Sequence, residues 1–146
     1  MSLFLSGMAL HAQESPVSLH MAQASLLVRD QNEALKFYTE TLGFAKVEDA
    51  TYGRERWLTI SPPGQKGMAL VLVKAITPGD LNVVGKQAGD RTLLVLETFD
   101  FDGTYQKYLD QKVNFISKPA KMGWGRQVQF TDLYGNHLVL LEVKKA

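Results

Sequence analysis

Few side chains in this 146-residue chain have the chemistry that a metal or covalent site needs. The sequence contains three histidines, His11, His20 and His137, and no cysteine. The lack of cysteine excludes disulfide scaffolds, thiolate metal ligands and cysteine nucleophiles. A divalent ion held by nitrogen and oxygen needs three or four ligands that converge on one point, so the histidine supply is sparse for a metal centre.

The two tryptophans stand in segments that suit ligand binding. Trp124 lies between two glycines and close to Arg126, so its ring could present a face to a planar ligand beside a guanidinium. Trp57 belongs to a strand-like run in which aliphatic residues alternate with Trp57 and Thr59. If the aliphatic residues pack against helices, Trp57 and Thr59 face the opposite side, where a ligand would bind. For each tryptophan the alternative is ordinary packing.

Catalytic residues are harder to find. Glu97 is the best candidate for a general base, because desolvation on an apolar, inward-facing strand makes a carboxylate more basic. The alternative is that Glu97 faces solvent near the end of its strand. The sequence contains no Gly-rich phosphate loop and no nucleophile elbow.

Composition and charge limit the class of protein. With 45% hydrophobic residues, 21% charged residues and a net charge of +1, the chain suits one globular domain and not a disordered segment. Near-neutral charge argues against nucleic acid as a partner. The apolar run 3–10 is far shorter than the roughly 20 residues of a membrane span. We therefore expect residues 1–20 to be an extension and residues 21–146 to form the domain. The expected location is the cytoplasm, and the alternative is export by a truncated signal at residues 3–12.

The order of predicted elements occurs twice. In the first module, residues 21–75, a helix capped by Asp30 and ended by Gly43 lies among strands at 22–28, 44–50, 55–61 and 68–73. A linker is predicted at 75–90. In the second module, residues 91–146, a helix at 100–112 lies among strands at 92–98, 113–117, 127–131 and 137–143. Overlaying residues 26–30 on 94–98 predicts two βαβββ units, and neither can bury its sheet alone.

Several short motifs carry a family resemblance. They are Leu26-x-Val28-x-Asp30, Ala34-Leu35-Lys36-Phe37-Tyr38, Leu42-Gly43-Phe44 and Asp132-Leu133-Tyr134-Gly135-Asn136. The chain thereby resembles the vicinal-oxygen-chelate superfamily, which contains glyoxalase I, extradiol dioxygenases, and fosfomycin- and bleomycin-resistance proteins. Two departures are Leu133-Tyr134 in place of the usual Pro-Asp, and Lys112 in place of the glycine that normally ends the second helix. The resemblance implies an α+β fold of paired βαβββ modules that form a curved mixed sheet around a cleft, with helices on the outer face.

The resemblance also allows a test for a metal site. The positions at which metal-using members place ligands align with Gln23, Val71, Leu93 and Val139. Only Gln23 could bind a metal, so we expect no metal and no other cofactor. A displaced site made from Gln23, Glu97 and His137 is the alternative.

The sequence therefore predicts a protein of the glyoxalase and bleomycin-resistance type that binds a small organic ligand without a divalent metal. The resemblance implies a homodimer, and we expect no membrane partner. The predicted ligand-binding residues are Trp57, Trp124, Arg126, Gln23, Ser25, Thr59, Glu97 and His137. Two alternatives stay open: a metal-dependent lyase (lactoylglutathione lyase-like), isomerase or dioxygenase with an atypical site, and a dimeric sequestering protein without turnover.

Overall fold

The computed structural model describes residues 18–144, which fold into two modules, each with one curved mixed sheet. The first has the order βαβββ, and the second has the same order with one additional short strand. The first module contains β1 (Gln23–Val28), α1 (Gln31–Lys36), β2 (Ala45–Tyr52), β3 (Glu55–Ser61) and β4 (Ala69–Lys74). After α2 (Pro78–Val83), the second contains β5 (Thr92–Thr98), α3 (Phe101–Asp110), β6 (Asn114–Phe115), β7 (Ala120–Met122), β8 (Gly125–Thr131) and β9 (His137–Glu142). The α+β prediction is confirmed. Most of the predicted extension, including the possible signal at 3–12, lies outside the described residues.

Strand order is the same in both modules. The first sheet has the order β1-β4-β3-β2 and the second β5-β9-β8-β6, with β7 paired to β8. In each module the first strand runs parallel to the last, β1 to β4 and β5 to β9, and the other main pairs are antiparallel. The first strand of each module is therefore an edge strand.

Helix α1 begins and ends where the sequence predicts. The Asp30 side chain accepts a hydrogen bond from the Glu33 backbone N–H at 2.8 Å and caps the helix. After Lys36 the helix continues as a π-helical turn, Phe37–Thr41. Gly43 then adopts a φ of +87°, the left-handed conformation expected at that position.

Three local predictions were wrong. The predicted linker contains α2, whose N-cap Thr77 and Asp80 form a reciprocal capping box with Pro78 in the first turn. None of its residues is buried, so the hydrophobic periodicity that reveals most helices is absent. Strand β7 was missed, and the strand predicted at 113–117 is reduced to β6.

One hydrophobic core joins the two modules. It contains Leu26 and Val28 from β1, Tyr38 from the end of α1, and Tyr108 and Phe130 from the second module. Tyr38 donates its hydroxyl to Asp132 of the second module at 2.7 Å. Tyr108 donates to the Leu42 carbonyl of the first at 2.8 Å, and burial raises the pKa of Tyr108 to about 12. Each helix is thus tied to the opposite module.

The predicted overlay of the two modules is two residues out of register. Val28 accepts a hydrogen bond from the Ala75 N–H at 2.8 Å, and Thr98 accepts the corresponding one from the Val143 N–H at 2.9 Å. Asp30 and Asp100 then cap the following helices. Val28 is therefore equivalent to Thr98, and by the same shift Leu27 to Glu97 and Ser25 to Val95.

Candidate functional site

Each sheet has one face against the shared core and one face directed away from it, which we call the open face. Side chains alternate between the two faces along a strand. On β3, Leu58 and Ile60 are buried in the core, so Trp57 and Thr59 belong to the open face. By the same alternation the open faces carry Gln23, Ser25, Trp57, Thr59, Val71 and Val73 in the first module, and Val95, Glu97, Gln127, Gln129, His137 and Val139 in the second.

A cleft of about 310 Å³ opens beside Trp57 on the first module, and we call it the Trp57 cleft. It forms because the β3–β4 ladder pairs only Thr59 with Val71 and Ile60 with Leu70, after which the strands separate. Its lining is Gln31, Arg54, Glu55, Arg56, Trp57, Val71, Leu72, Val73, Lys74 and Ile76. The half-buried indole of Trp57 thus borders a space that is apolar along β4. The charged residues of the lining are Arg54, Arg56 and Lys74, with one carboxylate, Glu55, so that their net charge is positive.

Gln31 holds the separated strands at a fixed spacing. Its Nε2 donates to the Arg56 carbonyl at 3.2 Å and to the Leu72 carbonyl at 2.8 Å. The two N–H donors of one side-chain amide therefore bond to carbonyl groups of two strands, β3 and β4, that no longer pair with each other at this point. This residue was not predicted as part of a site, and its place at the start of α1 is the only sequence signal that it has.

The cations around the Trp57 cleft differ in their availability. Arg56 donates to both carboxylate oxygens of Asp49 at 2.9 Å and to Asn32 at 2.6 Å. Hydrogen bonding from Arg56 lowers the pKa of Asp49 to about 2. Within residues 18–144, Arg54 and Lys74 form no ion pair, so their charges are the ones available to an anionic ligand.

Trp124 lies on a different sheet from Trp57. It occupies the two-residue turn between β7 and β8, its side chain is 64% exposed, and its Nε1 donates to Gln127 at 2.9 Å. In the described part of one chain, the lining of the Trp57 cleft does not include Trp124. The predicted pair therefore does not meet within a single chain.

Arg126 does not take the position expected of a ligand anchor. It shares the alternation of Val128 and Phe130 on β8 and so lies on the helix side of the sheet. Its guanidinium contacts Glu142 at 2.6 Å and Asp102 at 2.8 Å, and it lies 4.7 Å from the centre of the Phe101 ring. Both carboxylates raise the pKa of Arg126 further above its usual range. The strand alternation could have predicted this placement.

A second cleft, of about 430 Å³, lies between the modules along the free edge of β5, and we call it the β5-edge cleft. Its apolar walls come from the Leu42–Phe44 segment after α1 and from the β3–β4 turn at Pro62 and Pro63. The β5 side contributes Val95, Leu96, Glu97 and Thr98. Glu97 is exposed there, which contradicts the desolvated position expected for a general base.

The remaining predicted residues occupy separate positions. Gln23 is exposed at the start of β1, and Ser25 is exposed with its carbonyl bonded to the side chain of Gln87 at 2.7 Å. Thr59 is 1% exposed at the centre of the first sheet. His137 is half-buried at the start of β9, opposite Thr131.

These placements do not fit a metal ion. On the open faces, Val71 and Val139 stand where metal-using relatives were expected to carry ligands, and valine has no donor atom. The alternative set of Gln23, Glu97 and His137 is wrong, because Glu97 pairs with Leu141, four residues along β9 from His137. That separation is roughly 13 Å, far beyond a shared coordination sphere. Nowhere in residues 18–144 do three His, Asp or Glu side chains converge.

The Asp132–Asn136 turn is a structural element. One carboxylate oxygen of Asp132 accepts the backbone N–H groups of Tyr134, Gly135 and Asn136 at 2.9–3.0 Å. The other oxygen accepts from Tyr38 at 2.7 Å and from the Asn136 amide at 2.8 Å. Five hydrogen bonds saturate this buried carboxylate, so the turn fastens the second module to α1.

The sequence profile of the Glyoxalase/Bleomycin resistance protein/Dioxygenase superfamily matches residues 19–140. The chain belongs to this superfamily. Among its relatives is an uncharacterised protein of Shewanella frigidimarina, 38% identical over 122 residues that cover 82% of this chain and 90% of the relative.

Several solved structures share the fold. UcmS2 superimposes with a TM-score of 0.75 at 28% identity, covering 86% of this chain and 98% of UcmS2. TnmS3, an antibiotic binding protein from a Streptomyces species, superimposes with a TM-score of 0.72 at 31% identity, covering 87% of this chain and 98% of TnmS3. No helix among the described residues is long and apolar enough to cross a membrane.

Proposed function

We propose that this superfamily member is a binding protein for a small organic ligand and that it needs no divalent metal. The observation that carries the proposal is the Trp57 cleft: an indole beside apolar β4 residues, with Arg54 and Lys74 at the rim. Such a site suits a planar aromatic ligand with an anionic group, since the ring contacts Trp57 while the anion contacts a cation. The description of TnmS3 as an antibiotic binding protein supports a role of this class.

The proposed working unit is a homodimer in which the open face of the first module of one copy meets that of the second module of the other. Exposed apolar side chains on the second module support this arrangement, because Val95 is 54% and Trp124 64% exposed. The dimer would place Trp124, Gln127 and Gln129 opposite Trp57. A sequestering role without turnover is consistent with the lack of a converged acid–base or metal site among the described residues.

A fluorescence titration tests the proposed ligand class. In the Trp124→Phe variant, Trp57 is the remaining tryptophan, and 2-naphthoate is expected to quench it saturably. Cyclohexanecarboxylate lacks an aromatic ring, and naphthalene-2-carboxamide lacks the negative charge. Both are therefore expected to bind at least about tenfold more weakly than 2-naphthoate. Equal binding of the carboxamide would remove the anionic part of the proposal, and the absence of saturable quenching would remove the site. Sedimentation equilibrium checks the dimer independently.

A further inference from the structure

The free edges of β1 and β5 are equivalent, but within residues 18–144 only the β1 edge has hydrogen-bonding partners. In a parallel strand, the N–H and C=O groups of one residue point to the same edge, and those of the next residue point to the opposite edge. Because Val28 and Thr98 bond to their partner strands, the backbone groups of Ser25 and Leu27, and those of the equivalent Val95 and Glu97, point to the free edges.

On β1 a side-chain amide occupies this edge. The Gln87 Nε2 donates to the Ser25 carbonyl at 2.7 Å, and the Gln87 Oε1 accepts from the Leu27 N–H at 2.9 Å. One primary carboxamide thus satisfies an acceptor and a donor two residues apart. The chain itself shows which chemical group fits this spacing.

On β5 the same pair of groups has no hydrogen-bonding partner within the described part of the chain. Among residues 18–144, nothing bonds to the Val95 carbonyl or the Glu97 N–H, and no strand pairs with this edge of β5. Gln65, an amide side chain that lines the adjoining cleft, donates instead to the Met68 carbonyl at 2.8 Å. The donor and acceptor therefore face the β5-edge cleft without a partner from residues 18–144.

The surroundings of this pair set the size and polarity of a ligand. The cleft volume of about 430 Å³ lies in the range of small-molecule sites. Leu42, Phe44, Pro62 and Pro63 form apolar walls across from the edge. A carboxylate would face the Val95 carbonyl oxygen and the Glu97 carboxylate, and both repel an anion. An ester or a dialkylamide would leave the Val95 carbonyl without a donor.

We propose that the β5 edge is a carboxamide-recognition site, separate from the Trp57 cleft. A primary carboxamide, or a cyclic lactam with its N–H and C=O on the same side, donates to the Val95 carbonyl and accepts from the Glu97 N–H. The apolar body of the same small molecule lies in the β5-edge cleft. The site thus repeats with an external ligand what Gln87 does within the first module.

Backbone NMR of the full chain tests this assignment with benzamide as the probe. Titration is expected to move the Glu97 amide signal saturably, whereas benzoate and N,N-dimethylbenzamide leave it in place. In the free protein the Glu97 N–H is expected to exchange rapidly with solvent. Discrimination among three ligands of similar shape needs no mutation, so the test does not depend on the folding of a variant.

One substitution tests the donor of the site, because proline is tolerated on an edge strand where the lost N–H faces outward. Glu97→Pro removes the donor and is expected to weaken benzamide binding about tenfold.

Three results would overturn the proposal: equal shifts with benzoate, slow exchange of the Glu97 N–H in the free protein, or unchanged affinity of a folded Glu97→Pro variant for benzamide. Slow exchange would show that another strand already covers the edge. None of these results bears on quenching of Trp57 by naphthoate, so the two proposals fail separately.

Discussion

The hydroxyl of Tyr38 and the carboxylate of Asp132 lie 2.7 Å apart, although 94 positions separate them along the chain. Tyr38 is fully buried, and burial, followed by the charge of Asp132, raises its pKa well above the ordinary value. The bond therefore joins a neutral donor to a charged acceptor within the core.

Tyr38→Phe removes the donor and leaves one oxygen of a buried carboxylate with a single hydrogen bond. We expect a loss of about 2 kcal/mol in the free energy of unfolding. Tyr108→Phe is the matched control, because that hydroxyl donates to a neutral carbonyl, and its expected cost is about 1 kcal/mol. Urea denaturation measures both losses, and the slope of the unfolding free energy against urea concentration should stay the same in the two variants. Equal costs would show that the charge of Asp132 adds nothing.

Lys112 provides a test of backbone conformation. It has a φ of 60°, and within residues 18–144 no other residue except glycine has a positive φ. Gly43 occupies the corresponding position after α1 with a φ of +87°. We expect Lys112→Gly to stabilise the protein by about 1 kcal/mol, and Gly43→Ala to destabilise it by a similar amount. Thermal unfolding of the two variants should shift in opposite directions.

The pKa of Asp49 tests the state of Arg56. Hydrogen bonding from Arg56 holds this pKa at about 2, below the unfolded value near 3.9. The contribution of Asp49 to stability is therefore present above pH 4 and is lost as the pH falls toward 2. In Arg56→Gln we expect carboxyl NMR to show a pKa close to the ordinary value. Arg54→Gln removes a neighbouring positive charge that forms no ion pair within residues 18–144, and it should leave the pKa of Asp49 unchanged.

Trp124 and Trp57 should differ in their contribution to stability. For the dissociated monomer, Trp124→Ala is expected to change the free energy of unfolding by less than about 0.5 kcal/mol, because the residue is mostly exposed in a single chain. Trp57→Ala should cost about 2 kcal/mol, since half-buried indole area is lost. Fluorescence gives a second measurement. Acrylamide should quench the emission of the Trp57→Phe protein, which retains Trp124, more readily than that of the Trp124→Phe protein, which retains Trp57. A large stability loss at Trp124 would favour the packing alternative for that residue.

Arg126 should matter for stability and not for ligand binding. Arg126→Gln breaks contacts to Asp102 and Glu142 at a partly exposed position, so the expected loss is about 1 kcal/mol. The affinity of this variant for 2-naphthoate should stay within about twofold of the affinity of the unsubstituted protein. A tenfold loss of affinity without a change in stability would restore Arg126 as a ligand anchor.

The sequence predicted elements best where one periodicity dominates. Strands β3 and β5 have the predicted bounds, because regular alternation fixes a strand that packs on one side. Helix α2 was missed because it depends on the Thr77–Asp80 capping box and buries no side chain. Strand β7 was missed because a two-residue turn at Trp124 was interpreted as part of a loop.

The candidate site was predicted only in part. The open-face position of Trp57 and Thr59 follows from alternation on β3, and the structure places them there. The β5-edge cleft could not be predicted, because its walls come from the Leu42–Phe44 segment and the Pro62–Pro63 turn, which only tertiary packing brings to β5. The two-residue error in the module overlay also concealed the equivalence of Glu97 with Leu27.

The five hydrogen bonds of Asp132 have a consequence for how such proteins diversify. The turn that carries part of the family resemblance determines architecture and does not line the Trp57 cleft or the β5-edge cleft. Mutations on the open faces can therefore change the preferred ligand while the docking of the modules is preserved. Ligand preference and module docking are carried by separate sets of residues in the same small domain.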